Sequence, residues 1–384
     1  MNLNGNSPRS SRLVFIDLFR GIAILAMIET HVFNAFLDTT YRSKDWFHHL
    51  NYFNGLVAPS FLFISGWVFI VSSRRKVDDF RSLGPAFRKQ LWRIAQIWIL
   101  GYCLHFPKYS YSIARYWTST ADWQRFYTVD ILQCIAVGLL GLLAGRIVFH
   151  QDRRFEAFLW GISLTIVAVT PWVWEYRFPK GLPASLVSYF QEGPWSYFPL
   201  FPWLGFFGIG AACAMRHLKS LEAGIERHFF QIIGMTALFL VVAGHWLPLL
   251  DFPLSYVSPN IRAQPVFWGE RLGYVLALVV LCRLFQERGP VGTHWLQVVS
   301  RESLMVYAAH LFLIYRIPYR EMTLFETFGQ SLSLGKCLLL TFGMVVLMIF
   351  LARFWSWMKT NHMTAFRVGL STACALLVIG FFLR

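Results

Sequence analysis

Charge is the scarcest property of this sequence. Asp, Glu, Lys and Arg make up 14% of its 384 residues, where a soluble domain carries roughly 25%. That deficit excludes an ordinary soluble enzyme and points to a chain that lives in a bilayer. Acidic residues are the scarcer sign, 20 against 35 basic ones, for a formal net charge of +15. The basic residues sit in short runs between apolar segments, a pattern that sets membrane topology, so no nucleic-acid partner is expected. Six cysteines (Cys103, Cys134, Cys213, Cys282, Cys337, Cys374) are scattered without C-x-x-C spacing. Neither a disulfide framework nor a zinc site is indicated. G-x-S-x-G, phosphate-loop and dinucleotide fingerprints are missing, as is H-x-x-x-H spacing, so no soluble-type active site and no metal are expected. Asp17 and Arg20 interrupt the first apolar stretch, which argues against a cleavable signal peptide.

What the chain has in abundance is apolar length. Hydrophobic residues reach 56%, aromatic residues 18%, and the mean hydropathy is +0.48. Segments of about 20 apolar residues, enough to cross about 30 Å of hydrocarbon, recur throughout. They cover 15–37, 53–73, 91–106, 130–149, 156–175, 197–215, 229–248, 268–286, 296–315, 334–356 and 364–383. The expected fold class is therefore all-α, a polytopic membrane bundle of about eleven transmembrane helices, the third short and the last two hard to separate. With the N-terminus inside, about twenty Lys and Arg fall in inner loops and about twelve in outer ones, so N-in is favoured. The basic run Arg74 to Arg93 anchors that topology or meets an anionic cytosolic donor or lipid headgroups.

The first segment carries Asp17, Arg20, Glu29 and His31, and ionisable groups are costly inside a bilayer. Residues turn by about 100° and rise about 1.5 Å along a helix. Asp17 and Arg20, at i, i+3, can pair near the inner end. Arg20 and His31 fall within about 20° of one face and about 16 Å apart, whereas Glu29 points about 160° away from His31. One face thus offers a cation near one leaflet and an imidazole near the other, as a path through the membrane requires. The structural alternatives are a snorkelling or Asp17-paired Arg20 and a His31 used as an interhelical hydrogen bond. Imidazole suits general-base work near neutral pH, which makes His31 a catalytic candidate.

Further along, Ser303, Tyr307 and His310 stack at i, i+4, i+7 on one face, with His310 at the depth of His31. His48 and His49 are expected in a short outer loop with Asn51 and Asn54 nearby. Asp130, Gln133 and Glu270 add polar groups at similar depth.

These residues carry a resemblance. Ile16-Asp17-Leu18-Phe19-Arg20-Gly21-Ile22-Ala23, followed by Met27 and His31, resembles the D-x-x-R-G opening of the transmembrane acyltransferases related to lysosomal heparan-α-glucosaminide N-acetyltransferase. Asn54 to Gly66, Tyr197 to Gly205, Ser303 to His310 and, more weakly, Asp130 to Gln133 resemble the same family, in its order. The polar stretch 1–12, with Arg9 and Arg12, reads as a cytosolic tail, and the resemblance, carried over about 13–315, implies a single transmembrane acyltransferase domain over 13–384. It implies an acyl-CoA, in the expected case acetyl-CoA, as donor substrate and a hydroxyl or amine of a sugar or glycan beyond the membrane as acceptor. Arg20 and Asp17, with Asn54 and Ser65, would bind the donor, and a histidine would act as base or accept the acyl group. In the lysosomal enzyme the essential histidine lies in a loop resembling 49–55, matched at His49 with a one-residue shift, and the position resembling His31 is not a histidine. Bacterial relatives more often look like this chain. The order of candidates is His31, His310, His49.

The expected location is a bacterial inner membrane, with the lipid bilayer as a partner and oligomeric state, including a homodimer, left open. A secondary transporter of a small polar or anionic solute is the alternative, although paired broken helices in two related halves are not apparent. A sensor or assembly component is the third reading.

Overall fold

The computed structural model describes residues 13–106, 109–116, 118–179, 181–250, 258–288, 294–315 and 323–383. Among them the architecture is helical, with isolated β-bridges in place of strands. The long helices are α1 Val14–Phe36, α2 Asp45–Asn54, α3 Val57–Ser73, α5 Pro85–Leu104, α8 Ile131–Val148, α9 Asp152–Glu175, α11 Leu200–Glu222, α12 Glu226–Trp246, α13 Pro265–Glu287, α14 His294–Arg301, α15 Ser303–Tyr315, α17 Leu334–Asn361 and α18 Met363–Leu383. Short helices join them: α4 Val77–Arg81, α6 Tyr111–Tyr116, α7 Thr120–Phe126, α10 Ala184–Val187 and α16 Leu324–Phe328.

Every predicted apolar segment falls on a helix. Seven helical segments among the described residues are long and apolar enough to cross a membrane: Asp45–Arg81, Ile131–Val148, Asp152–Glu175, Glu226–Leu249, Pro265–Glu287, Leu334–Asn361 and Met363–Leu383. Three expectations change in detail. The third helix is not short: it begins at Pro85, a good first helical residue, and carries Arg88, Lys89 and Arg93 before its apolar part. The ninth segment is two helices, α14 and α15, divided at Glu302. His48 and His49 lie on a ten-residue helix instead of a loop, with Asp45 in its first turn complementing the helix dipole.

α1 is the axis of the bundle. It touches α3, α13, α14, α15 and α17, and fourteen of its residues are buried. The tightest crossing nearby is α3 on α11. A Cβ on Gly66 would sit 2.0 Å from the Phe207 carbonyl oxygen, and one on Gly210 would sit 1.9 Å from that of Phe63. Glycine on both sides lets the backbones touch, as membrane helices do when small residues meet.

Candidate active site

The polar faces of α1 and α15 meet. Arg20 Nη2 donates to Ser303 Oγ at 2.6 Å, and eleven residues further on His31 contacts His310, seven residues after Ser303. Both pairs advance together, so the two helices run parallel. Ser300 Oγ adds a bond to Asp17 at 3.0 Å, and the Tyr315 hydroxyl donates to the His31 carbonyl at 3.4 Å. Between Arg20 and His31 the same stripe of α1 is Ile24 and Met27, both buried. The seam is closed along its inner half.

Two groups bear on the His31 ring, the Met27 carbonyl one turn back on α1, to which it hydrogen-bonds, and His310. His310 Nδ1 lies 2.8 Å from the Val306 carbonyl, which can only accept, so Nδ1 carries the proton. Its Nε2 faces His31 Nδ1 at 3.1 Å. With both rings neutral, His310 Nε2 accepts and His31 Nδ1 donates. That leaves His31 Nε2 without a proton, free to take one.

His31 opens on a cavity of about 1430 Å³. Its walls come from the end of α1 (Met27 to Asn34), the cavity face of α2, the starts of α3, α8, α11 and α13, the ends of α5 and α15, and the 194–198 loop. On α2, His48, Asn51, Tyr52 and Gly55 recur at helical spacing and line it, while His49 is exposed on the other side and contributes nothing to the wall. Asn54 lines it too and hydrogen-bonds Glu29, the acid predicted to point away from His31. Ser65 lies mid-way along α3 and is absent from the wall, and Asp17 and Arg20 lie below it.

Asp130 is held at the N-terminus of α8, where its Oδ1 accepts from the Ile131 amide at 2.7 Å while Gln133 bonds back to the Asp130 amide. Its other oxygen faces Tyr307 Oη at 3.4 Å and His105 Nε2 at 3.7 Å. His105 donates through Nδ1 to the Gly101 carbonyl at 2.9 Å, which orients Nε2 toward the acid. His105 escaped the sequence reading, because a lone histidine at the end of an apolar run has no periodic partner. Arg271 also escaped it: it is buried, lies 3.9 Å over the Tyr52 ring and donates to the Tyr52 carbonyl. A Cβ on Gly55 would meet its guanidinium at 3.3 Å, which accounts for glycine after Asn54.

The sequence profile described as heparan-α-glucosaminide N-acetyltransferase, catalytic, matches residues 12–246, more than half of the chain. The chain belongs to this family. Membership brings membrane acetyltransferase activity in general, with acetyl-CoA as the donor the family uses. No curated protein matches the chain. In this family member the matched region holds His31, His48, His105 and Asp130, whereas Arg271, Ser303, Tyr307 and His310 lie beyond it. The imidazole that faces His31 Nδ1 therefore comes from the C-terminal helices, while the Met27 carbonyl that its ring also meets lies inside the matched region. Among the described residues no group of three or more His, Cys, Asp or Glu is placed to hold a metal ion.

Proposed function

We propose that the chain moves an acetyl group from cytosolic acetyl-CoA to a hydroxyl or amine of a sugar or glycan on the outer side, with His31 as base. The observation that carries this reading is His31 on the cavity wall with its Nδ1 3.1 Å from His310 Nε2, a pairing that for neutral rings leaves His31 Nε2 to accept a proton. In the reaction, Nε2 takes the proton of the acceptor as its oxygen or nitrogen attacks the thioester carbonyl. The C–S bond then breaks, and the proton held by His31 leaves with the CoA thiolate. An acyl-histidine route would use the same nitrogen as nucleophile. Asn54, held by Glu29, has a second amide N–H for the carbonyl oxygen as it gains charge. His310 acts as a positioning residue.

With eleven spans and the N-terminus inside, as the sequence suggests, the cavity would open outward. The parallel course of α1 and α15, first and ninth spans, fits that alternation. So does the bridge from Leu37, after the first span, to Leu332, before the tenth. Arg20 at the inner end is the cation for donor phosphates, with Asp17 bonded to Ser300 beside it. The pantetheine arm then follows the Ile24 and Met27 stripe, which requires the α1 to α15 seam to part. Proteoliposomes given acetyl-CoA on one side and a panel of amino sugars and neutral sugars on the other test this. Acceptor-dependent CoA release is expected; uptake of solute without CoA consumption would instead identify a transporter.

A further inference from the structure

A second recess of about 440 Å³ lies far from the histidine cavity, walled by Arg153, Glu156, Ala157 and Trp160 of α9 and by Arg216 and Lys219 of α11. Trp203, on the histidine cavity, precedes Arg216 by thirteen residues of the same helix, so about 20 Å separates the two sites. Glu156 forms the floor and is 4% exposed. Arg216 Nε reaches its carboxylate at 2.5 Å and Lys219 Nζ donates to it at 2.6 Å. One cation would neutralise this acid. The second, with Arg153, leaves two positive charges uncompensated at the rim. Arg216 and Lys219 remain partly open to the outside, 64% and 43% exposed, and keep N–H donors that Glu156 does not use.

The recess continues into an apolar track. Arg153, Ala157, Trp160 and Leu164 follow one another at i, i+4, i+7 and i+11, a single stripe of α9. Arg153, Ala157 and Leu164 are exposed, and only 28% of the most apolar window of α9 is buried, so this stripe faces lipid. Tryptophan at the rim sits at the depth of headgroups.

We propose that this recess binds an anionic phospholipid, its phosphate between Arg153, Arg216 and Lys219 and one acyl chain along Trp160 and Leu164. A free phosphate would use the cations and leave the track unused. A zwitterionic headgroup would bring its ammonium against the rim charges.

Native mass spectrometry from nanodiscs of phosphatidylcholine with a minor share of phosphatidylglycerol tests the assignment. The full-length protein is expected to retain one phosphatidylglycerol in preference to the bulk lipid. R153Q, which leaves both Glu156 ion pairs intact, should weaken that retention about fivefold, the effect of one basic residue near an anionic lipid. R216Q/K219Q should weaken it further. Equal retention by wild type and R153Q would overturn the proposal. Displacement of the lipid by glycerol phosphate at equal concentration would also overturn it, because the track would then contribute nothing.

Discussion

Two imidazoles at 3.1 Å do more than either would alone. The Val306 carbonyl sets the His310 tautomer, and His310 together with the Met27 carbonyl bears on that of His31. Replacing His310 with Ala should therefore lower kcat by about 10 to 100-fold while KM for acetyl-CoA stays near its wild-type value, because an orienting partner is lost and the donor contacts are not. Steady-state kinetics on the purified variant measure this split. Arg20→Ala should do the reverse, raising KM for acetyl-CoA roughly tenfold with little change in kcat, as expected for a cation that pairs with donor phosphates. The common depth of His31 and His310 was legible in the sequence because each is registered to a second polar residue on its own helix, Arg20 and Ser303; that His310 is buried against His31 and does not itself line the cavity was not. His105 and Arg271 had no such register. Their roles depend on Asp130 and Tyr52, residues brought close by the fold and not by spacing.

Among elements, α1 and α3 both reach the cavity wall, but by different means. α1 does so with side chains. α3 does so by backing onto α11 at Gly66 and Gly210, which keeps Ala58 and Phe61 at the wall. Gly66→Ala places a methyl against the Phe207 carbonyl and should cost about 1 to 3 kcal/mol through forced separation of the helices. Thermal unfolding in detergent should show a lower Tm, and Gly141→Ala, with open space around its Cβ, should not. The helical nature of α2 was hidden in the sequence by its polarity: His48, His49 and Asn51 read as a loop. Tertiary cover from Arg271 over Tyr52 gives this short helix an anchor that its own composition does not announce.

For the molecule as a whole, length and hydropathy were enough to place a helix under every apolar segment, since a bilayer leaves a spanning backbone few other ways to satisfy its hydrogen bonds. Sequence spacing alone could not show that Ile24 and Met27, between Arg20 and His31, are buried, because their cover comes from tertiary packing. The N-in orientation puts Ser43 outside and Ser82 inside, both exposed positions in connections between spans. Single cysteines there, in a background without exposed native thiols, should react with a membrane-impermeant maleimide from opposite faces of sealed vesicles. Labelling of both from the same face would refute this topology.

The proposed mechanism turns on proton transfer by His31 Nε2 at the cavity. Its most direct test is turnover of acetyl-CoA by His31→Ala in proteoliposomes supplied with a competent acceptor, at saturating concentrations of both substrates. A fall in kcat of about 100 to 10,000-fold is expected, the usual contribution of a general base, with the fold intact by thermal unfolding. Turnover equal to wild type would contradict the assignment and move the chemistry to another group on the cavity wall.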